Sequence, residues 1–183
     1  MWQISSIFEA QKYFGQVKRV SEMNAKKINV LAIFIAISVI GAFIKIPSFI
    51  GSVALDSFPS LITGALLGGL AGGIVAALGH LVSAYLGGLP LGMLHLFIAV
   101  EMFLLVFTFS KIYQTGNSII SILFFVLGNG VILPLPFLYL MGKGFYISMV
   151  PVLLIGAVLN GIIAQLLMPR LTAFLKEWRV VKQ

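Results

Sequence analysis

Long apolar runs alternate along this chain with short clusters of Gly, Pro, Asn and charged residues. The runs occupy 28–46, 58–70, 71–86, 91–112, 118–141 and 145–167. A helix needs about 20 apolar residues to cross a hydrocarbon core, so the pattern predicts an all-α integral membrane protein, a six-transmembrane-helix bundle. The second and third runs are short and rich in Gly64, Gly68, Gly69, Gly72, Gly73 and Gly79. Small residues let helix backbones approach closely where apolar burial gives no drive, which predicts short Gly-rich helices 2 and 3 packed as a hairpin. Asp56 or Ser57 is the expected N-cap of helix 2, with Pro59 in its first turn. Segments 47–57, 87–90, 114–117 and 142–144 are the connecting loops. Pro134 and Pro136 are expected to kink or end helix 5, since each removes a backbone donor.

Before the first run, Ile4, Ile7, Phe8, Phe14, Val17 and Val20 recur at helical spacing around Lys12, Lys18 and Arg19. This fits an amphipathic helix on the membrane surface, and equally a partly ordered tail; it lacks the apolar core of a cleavable signal. The expected division is 1–25, an N-terminal cytoplasmic amphipathic segment; 26–175, the membrane domain; and 176–183, a basic cytoplasmic tail.

Composition removes the soluble alternative. Hydrophobic residues make up 60% of the 183 and charged residues 9%, against about 25% charged in soluble domains. The mean hydropathy is +1.11. A chain this short cannot hide so much apolar surface in its own core, so lipid must solvate most of it. The net charge of +7 gives no nucleic-acid site, because the charges sit at chain ends and short loops. With six spans, one side of the membrane holds Lys12, Lys18, Arg19, Lys26, Lys27, Lys111, Arg170, Lys176, Arg179 and Lys182; the other holds Lys45 and Lys143. That asymmetry places both termini in the cytoplasm of a multi-pass cell-membrane protein.

Candidate chemistry is sparse. HExxH, GxSxG and P-loop motifs are absent, and two histidines without cysteine make no usual metal site. Without an ATP-binding element, active transport would draw energy from a partner or an ion gradient. The ionisable groups near the membrane are Asp56, His80, His95 and Glu101. Glu101 is expected in a structural network with Asn129 or Asn160, since an ionisable residue in a membrane needs a partner. His95, in the outer half, fits a ligand contact or a packing role equally. His80 is expected to be structural, bonded near Asp56. Phe58, Tyr85, Tyr139, Phe145 and Tyr146 gather at the outer level, as an interfacial belt or a stacking site for a flat ligand. From these levels the candidate substrate-binding set is Asp56, Phe58, Tyr85, His95, Tyr139 and Tyr146. Ala32 and Ala36, at i and i+4, form a shallow helix face that fits internal packing better than partner docking on spacing alone.

Four segments taken together change that balance: Val53-Ala-Leu-Asp-Ser-Phe-Pro59, Leu67-Gly-Gly-Leu-Ala-Gly-Gly73, Ala77-Leu-Gly-His80 and Gly87-Gly-Leu-Pro-Leu-Gly92. Over 32–171 the chain resembles the S components of energy-coupling factor (ECF) vitamin importers. The resemblance implies a substrate-binding membrane subunit that is not an enzyme. Its implied partners are a transmembrane coupling subunit, docked through Ala32 and Ala36, and two cytoplasmic ATPases that consume ATP; no cofactor is implied in this chain. The Ala-Leu-Asp-Ser-x-Pro and Ala-Leu-Gly-His segments look most like members for cobalamin or its precursor α-ribazole. S components for pantothenate, folate or riboflavin are the nearest alternatives. From other classes, an intramembrane enzyme would use Glu101 and a histidine as its acid–base pair, and a stand-alone carrier would want more embedded charge.

The topology is testable in a chain without cysteine. Lys143→Cys is expected to react with an impermeant maleimide from outside intact cells, and Gly116→Cys only after permeabilisation. Labelling at 116 but not at 143 would reverse the orientation.

Overall fold

A computed structural model describes residues 25–48 and 51–177; the expected N-terminal amphipathic segment and most of the basic tail lie outside the described residues. The elements in order are α1 (Ala25–Phe43), β1 (Lys45–Ser48), β2 (Gly51–Ala54), α2 (Phe58–Leu67), α3 (Gly69–Leu86), α4 (Leu94–Gln114), α5 (Ser118–Leu127), a π-helical turn (Gly128–Ile132), α6 (Leu135–Leu140) and α7 (Lys143–Glu177).

Among the described residues, five stretches are long and apolar enough to cross a membrane: α1, α3, α4, the 23-residue stretch Ser118–Leu140, and α7. Their outward faces carry Ile33, Ile40, Leu104, Ile119, Leu123, Ile162 and Leu166, all exposed. Large aliphatic side chains around the whole bundle suit a lipid solvent. Helix α2 differs. Its 10 residues span about 15 Å at 1.5 Å per residue, half of a hydrocarbon core of about 30 Å. Residues Pro59–Gly64 are all buried, with Leu61, Ile62 and Thr63 fully enclosed. It is an internal helix wrapped by α3, α4 and α7.

The expectation of two short helices therefore holds for one. Gly68 has φ 99°, a left-handed conformation that glycine adopts without a Cβ penalty. It reverses the chain in a single residue, so α3 starts at Gly69 and reaches 18 residues. The hairpin is close-packed: a Cβ on Gly72 would lie 2.5 Å from the Gly64 Cα. The Ser110 hydroxyl of α4 donates to the Gly64 carbonyl at 2.6 Å, so all three helices meet at that glycine. Val106 and Phe109 of α4 extend the core toward Phe125 of α5 and Ala157 and Ala164 of α7.

Two other expectations are corrected. The segment after α1 is not a plain loop. Its strands pair antiparallel with Lys45 opposite Ala54 and Ser48 opposite Gly51, so among the described residues one small β-hairpin joins an otherwise helical fold. Pairing lets the hairpin satisfy its own backbone groups. Near its exit the Leu55 N–H donates to the Gly41 carbonyl at 3.1 Å, tying it back to α1. The last helix runs on to Glu177, past the expected end at 167 and through Pro151 and Pro169. Its 35 residues extend about 52 Å, so it tilts or projects beyond the lipid.

Asn160, midway along α7, joins the distant parts. Its Oδ1 accepts from the Ser57 and Phe58 N–H groups at 3.0 and 2.8 Å. Its Nδ2 donates to the carbonyls of Ala54 and Gly156 at 3.0 and 2.8 Å. Ser57 is the N-cap of α2, as anticipated, but its own side chain makes no cap bond. The cap is supplied from 103 residues away, and the next residue, Pro59, has no N–H to satisfy. Four bonds use the whole capacity of the amide.

Asn160→Ala strands two buried donors and a carbonyl. It is expected to cost about 2–4 kcal/mol, read as a lower Tm in detergent, with Asn160→Asp intermediate because it keeps only the acceptor. An unchanged Tm in Asn160→Ala would remove this cap from the account.

Candidate ligand-binding cavity

A cavity of about 300 Å³ lies directly above the Asn160 cap. The end of β2 and the following turn contribute Ala54, Asp56 and Ser57; α3 contributes His80; and the 87–93 loop contributes Leu91. From α4 come His95, Ile98, Glu101 and Met102, and from the π turn Asn129. Pro134 and Phe137 close one side, and α7 the other, with Phe145, Met149, Val152, Leu153, Gly156 and Asn160. Seven segments distant in sequence thus converge on one concave, largely apolar space with a few polar groups, the form of a small-molecule site.

Local structure aims each polar group. The π turn adds a residue to α5 and rotates Asn129 into the cavity; such turns recur at functional sites. It is braced by the Tyr146 hydroxyl, which donates to the Val131 carbonyl at 3.2 Å. The loop before α4 turns at Gly92, φ 56°, which points the Leu91 N–H back at His95 Nε2, 3.3 Å away. His95 Nδ1 lies 3.1 Å from His80 Nε2, so the two histidines share a proton between α3 and α4. Asp56 accepts from the Ser57 hydroxyl at 2.9 Å. Burial raises its carboxyl above the ordinary value of 3.8, and the Ser57 bond offsets part of that rise. Glu101 Oε2 is buried with no hydrogen-bond partner among the described residues. Phe137 and Phe145 stand with ring centroids 6.2 Å apart, tilted by 38°, and offer an aromatic corner to a flat guest.

Of the six candidate substrate residues, Asp56 and His95 line this space. Phe58 reaches it only through its backbone N–H on Asn160, and its ring packs against the core. Tyr85 and Tyr139 are 72% and 87% exposed and face away; a belt position suits them. Tyr146 braces the π turn without lining the cavity. His80 bonds to His95, not to the region of Asp56 as expected. Asn160 caps α2 and makes no bond to Glu101. Sequence reading assigned Glu101 to Asn129 or Asn160, and missed Phe137. Its one signal was its place a turn after Pro134. Ala32 and Ala36 are exposed on α1, on the side opposite its buried stripe of Val30, Phe34 and Ser38.

A lipid-solvated bundle around a small polar and aromatic cavity defines a membrane-embedded binding protein for a small molecule. The model of the family "ECF transporter, substrate-specific component" matches residues 26–179, and the chain belongs to that family. The fold agrees. A solved structure described as "Structure and mechanism of the S component of a bacterial ECF transporter" superposes with a TM-score of 0.62 at 24% identity, covering 84% of this chain and 99% of that one. No curated protein matches the sequence. Members of the family are substrate-binding transport subunits, not enzymes, and work with a membrane coupling subunit and ATPases. Glu101 and the histidines do share one cavity, as an acid–base pair would, but members of this family are not enzymes.

Asp56 gives a pH test. Its raised value means that the folded state holds a proton the unfolded state has released, so its contribution to stability falls as pH rises above 3.8. Asp56→Asn keeps the oxygen that Ser57 bonds and removes the charge. Without ligand, its Tm should match wild type near pH 4 and exceed it increasingly toward neutrality. A variant less stable than wild type at every pH would contradict the assignment.

Proposed function

We propose that this chain captures a vitamin-type small molecule in the cavity above Asn160 and delivers it inward when an ATP-driven coupling module acts on it. The observation that carries this reading is the cavity itself: about 300 Å³, walled by an aromatic corner and isolated polar groups, within a family of substrate-specific components. The sequence likeness to members for cobalamin or α-ribazole supplies the ligand. Size favours α-ribazole of the two. The volume lies at the lower end of small-molecule sites, about 300–1,000 Å³, where a nucleoside fits and a complete corrinoid does not.

In this reading α2, though short, completes six passages, and both termini lie in the cytoplasm, where ten of the twelve Lys and Arg residues fall. The cavity then opens to the outer half of the membrane. The exposed Ala32 and Ala36 face, flanked by the exposed Ile33 and Ile40, is left for a helix of the coupling subunit, because small residues permit close approach. Two cytoplasmic ATPases hydrolyse ATP, and this chain holds no nucleotide.

Co-expression with the coupling module, followed by affinity purification and calorimetry, tests both halves. The wild-type chain should bring down the membrane subunit and ATPases and bind α-ribazole. Phe137→Ala should weaken binding by roughly 1–2 kcal/mol without loss of assembly. Ala32→Leu/Ala36→Leu should keep binding and lose assembly. Recovery of the full complex with the double variant, or α-ribazole binding unaffected by Phe137→Ala, would refute the corresponding half.

A further inference from the structure

The hydrogen-bond directions inside the cavity are fixed by one group. A backbone N–H can only donate, so the Leu91 N–H makes His95 Nε2 an acceptor. The proton of a neutral His95 is then on Nδ1, and it is donated to His80 Nε2. His80 in turn carries its proton on Nδ1. A relay that starts in the 87–93 loop therefore ends as a donor on His80, in the cavity wall. The neighbouring α4 supplies the opposite character: Glu101 Oε2, out of water and without a donor among the described residues. Leaving such an oxygen unpaired is costly, and a guest N–H or O–H removes the cost.

The charge inventory points the same way. Asp56 and Glu101 both line the cavity, and among the described residues no Lys or Arg does. Sites for phosphates and carboxylates are built from Arg, Lys and clustered backbone N–H groups. Here the free end of α2, which could have offered such N–H groups, is closed by Asn160. The Phe137–Phe145 corner adds a surface for a flat ring. We infer that the cavity selects a heteroaromatic base or nucleoside free of phosphate and carboxylate groups, and that Glu101 and the His80–His95 pair set this selectivity. A ring with an acceptor nitrogen beside a donor meets both walls at once. A ligand with a phosphate or carboxylate buries its charge with no cation beside it to balance the loss of water. This rests on the reading of the cavity as the transport site; it sets pantothenate and folate, both carboxylates, aside.

Matched pairs test it by calorimetry on the purified full chain: benzimidazole ribonucleoside against its 5′-phosphate, and riboflavin against its 5′-phosphate. In at least one pair the uncharged member should bind, and its phosphate at least about tenfold more weakly, as burying a charge without a balancing cation requires. Glu101→Gln should shrink that ratio at least about threefold. His95→Ala, which ends the relay, should weaken the uncharged member with little change in the ratio. Equal or tighter binding of either phosphate, or an undiminished ratio in a folded Glu101→Gln, would overturn the inference. If no probe binds while the coupling subunit still co-purifies, this ligand class is wrong and the transporter reading stands. If co-purification fails as well, that reading fails with it.

Discussion

The amide of Asn160 is the interaction on which the site depends. A ten-residue helix buried inside a membrane bundle has an N-terminus enclosed by other segments, and its free N–H groups need partners. One side chain from α7 takes two of them and returns its own donors to Ala54 and Gly156. This fixes the height of α2 and anchors the exit of the β-hairpin. It also holds α7 at the distance that leaves room above it. The cavity is the space between a cap that must be made and walls that come from seven segments.

Close packing below the cap makes the openness above it possible. Gly64 and Gly72 bring α2 and α3 to backbone contact, and Ser110 locks α4 onto the same point. Higher up, the helices are kept apart by larger or irregular features: the His80–His95 pair between α3 and α4, the π turn braced by Tyr146, and the Phe137–Phe145 corner. A close-packed lower half and a roomier upper half suit a protein that holds a small molecule between its helices.

Much of this was legible in the sequence. The apolar runs placed α1, α3, α4 and α7 to within a few residues at their starts, because lipid-facing helices must be apolar all round. The ionisable residues identified as expensive in a membrane, His80, His95 and Glu101, do reach the cavity, as does Asp56. Their pairings were not legible. Which polar group meets which depends on helix rotation, and apolarity on every face leaves rotation unspecified. Asn160 was assigned to Glu101 by depth alone, whereas a buried helix end made the stronger demand. Tyr85 and Tyr139 have the right depth for a site but lie on the outward faces of their helices. The β-hairpin was hidden by Pro47 and Gly51, and the π turn by the lack of any residue that requires one.

Ligand protection of a single introduced thiol tests the central claim most directly, since the chain has no cysteine of its own. Val152→Cys lies on the α7 wall of the cavity, and Tyr139→Cys lies on the outward face of α6. In detergent, a saturating uncharged benzimidazole ribonucleoside should slow maleimide labelling at position 152 and leave position 139 unchanged. Protection at 139 with none at 152 would place the ligand outside this cavity.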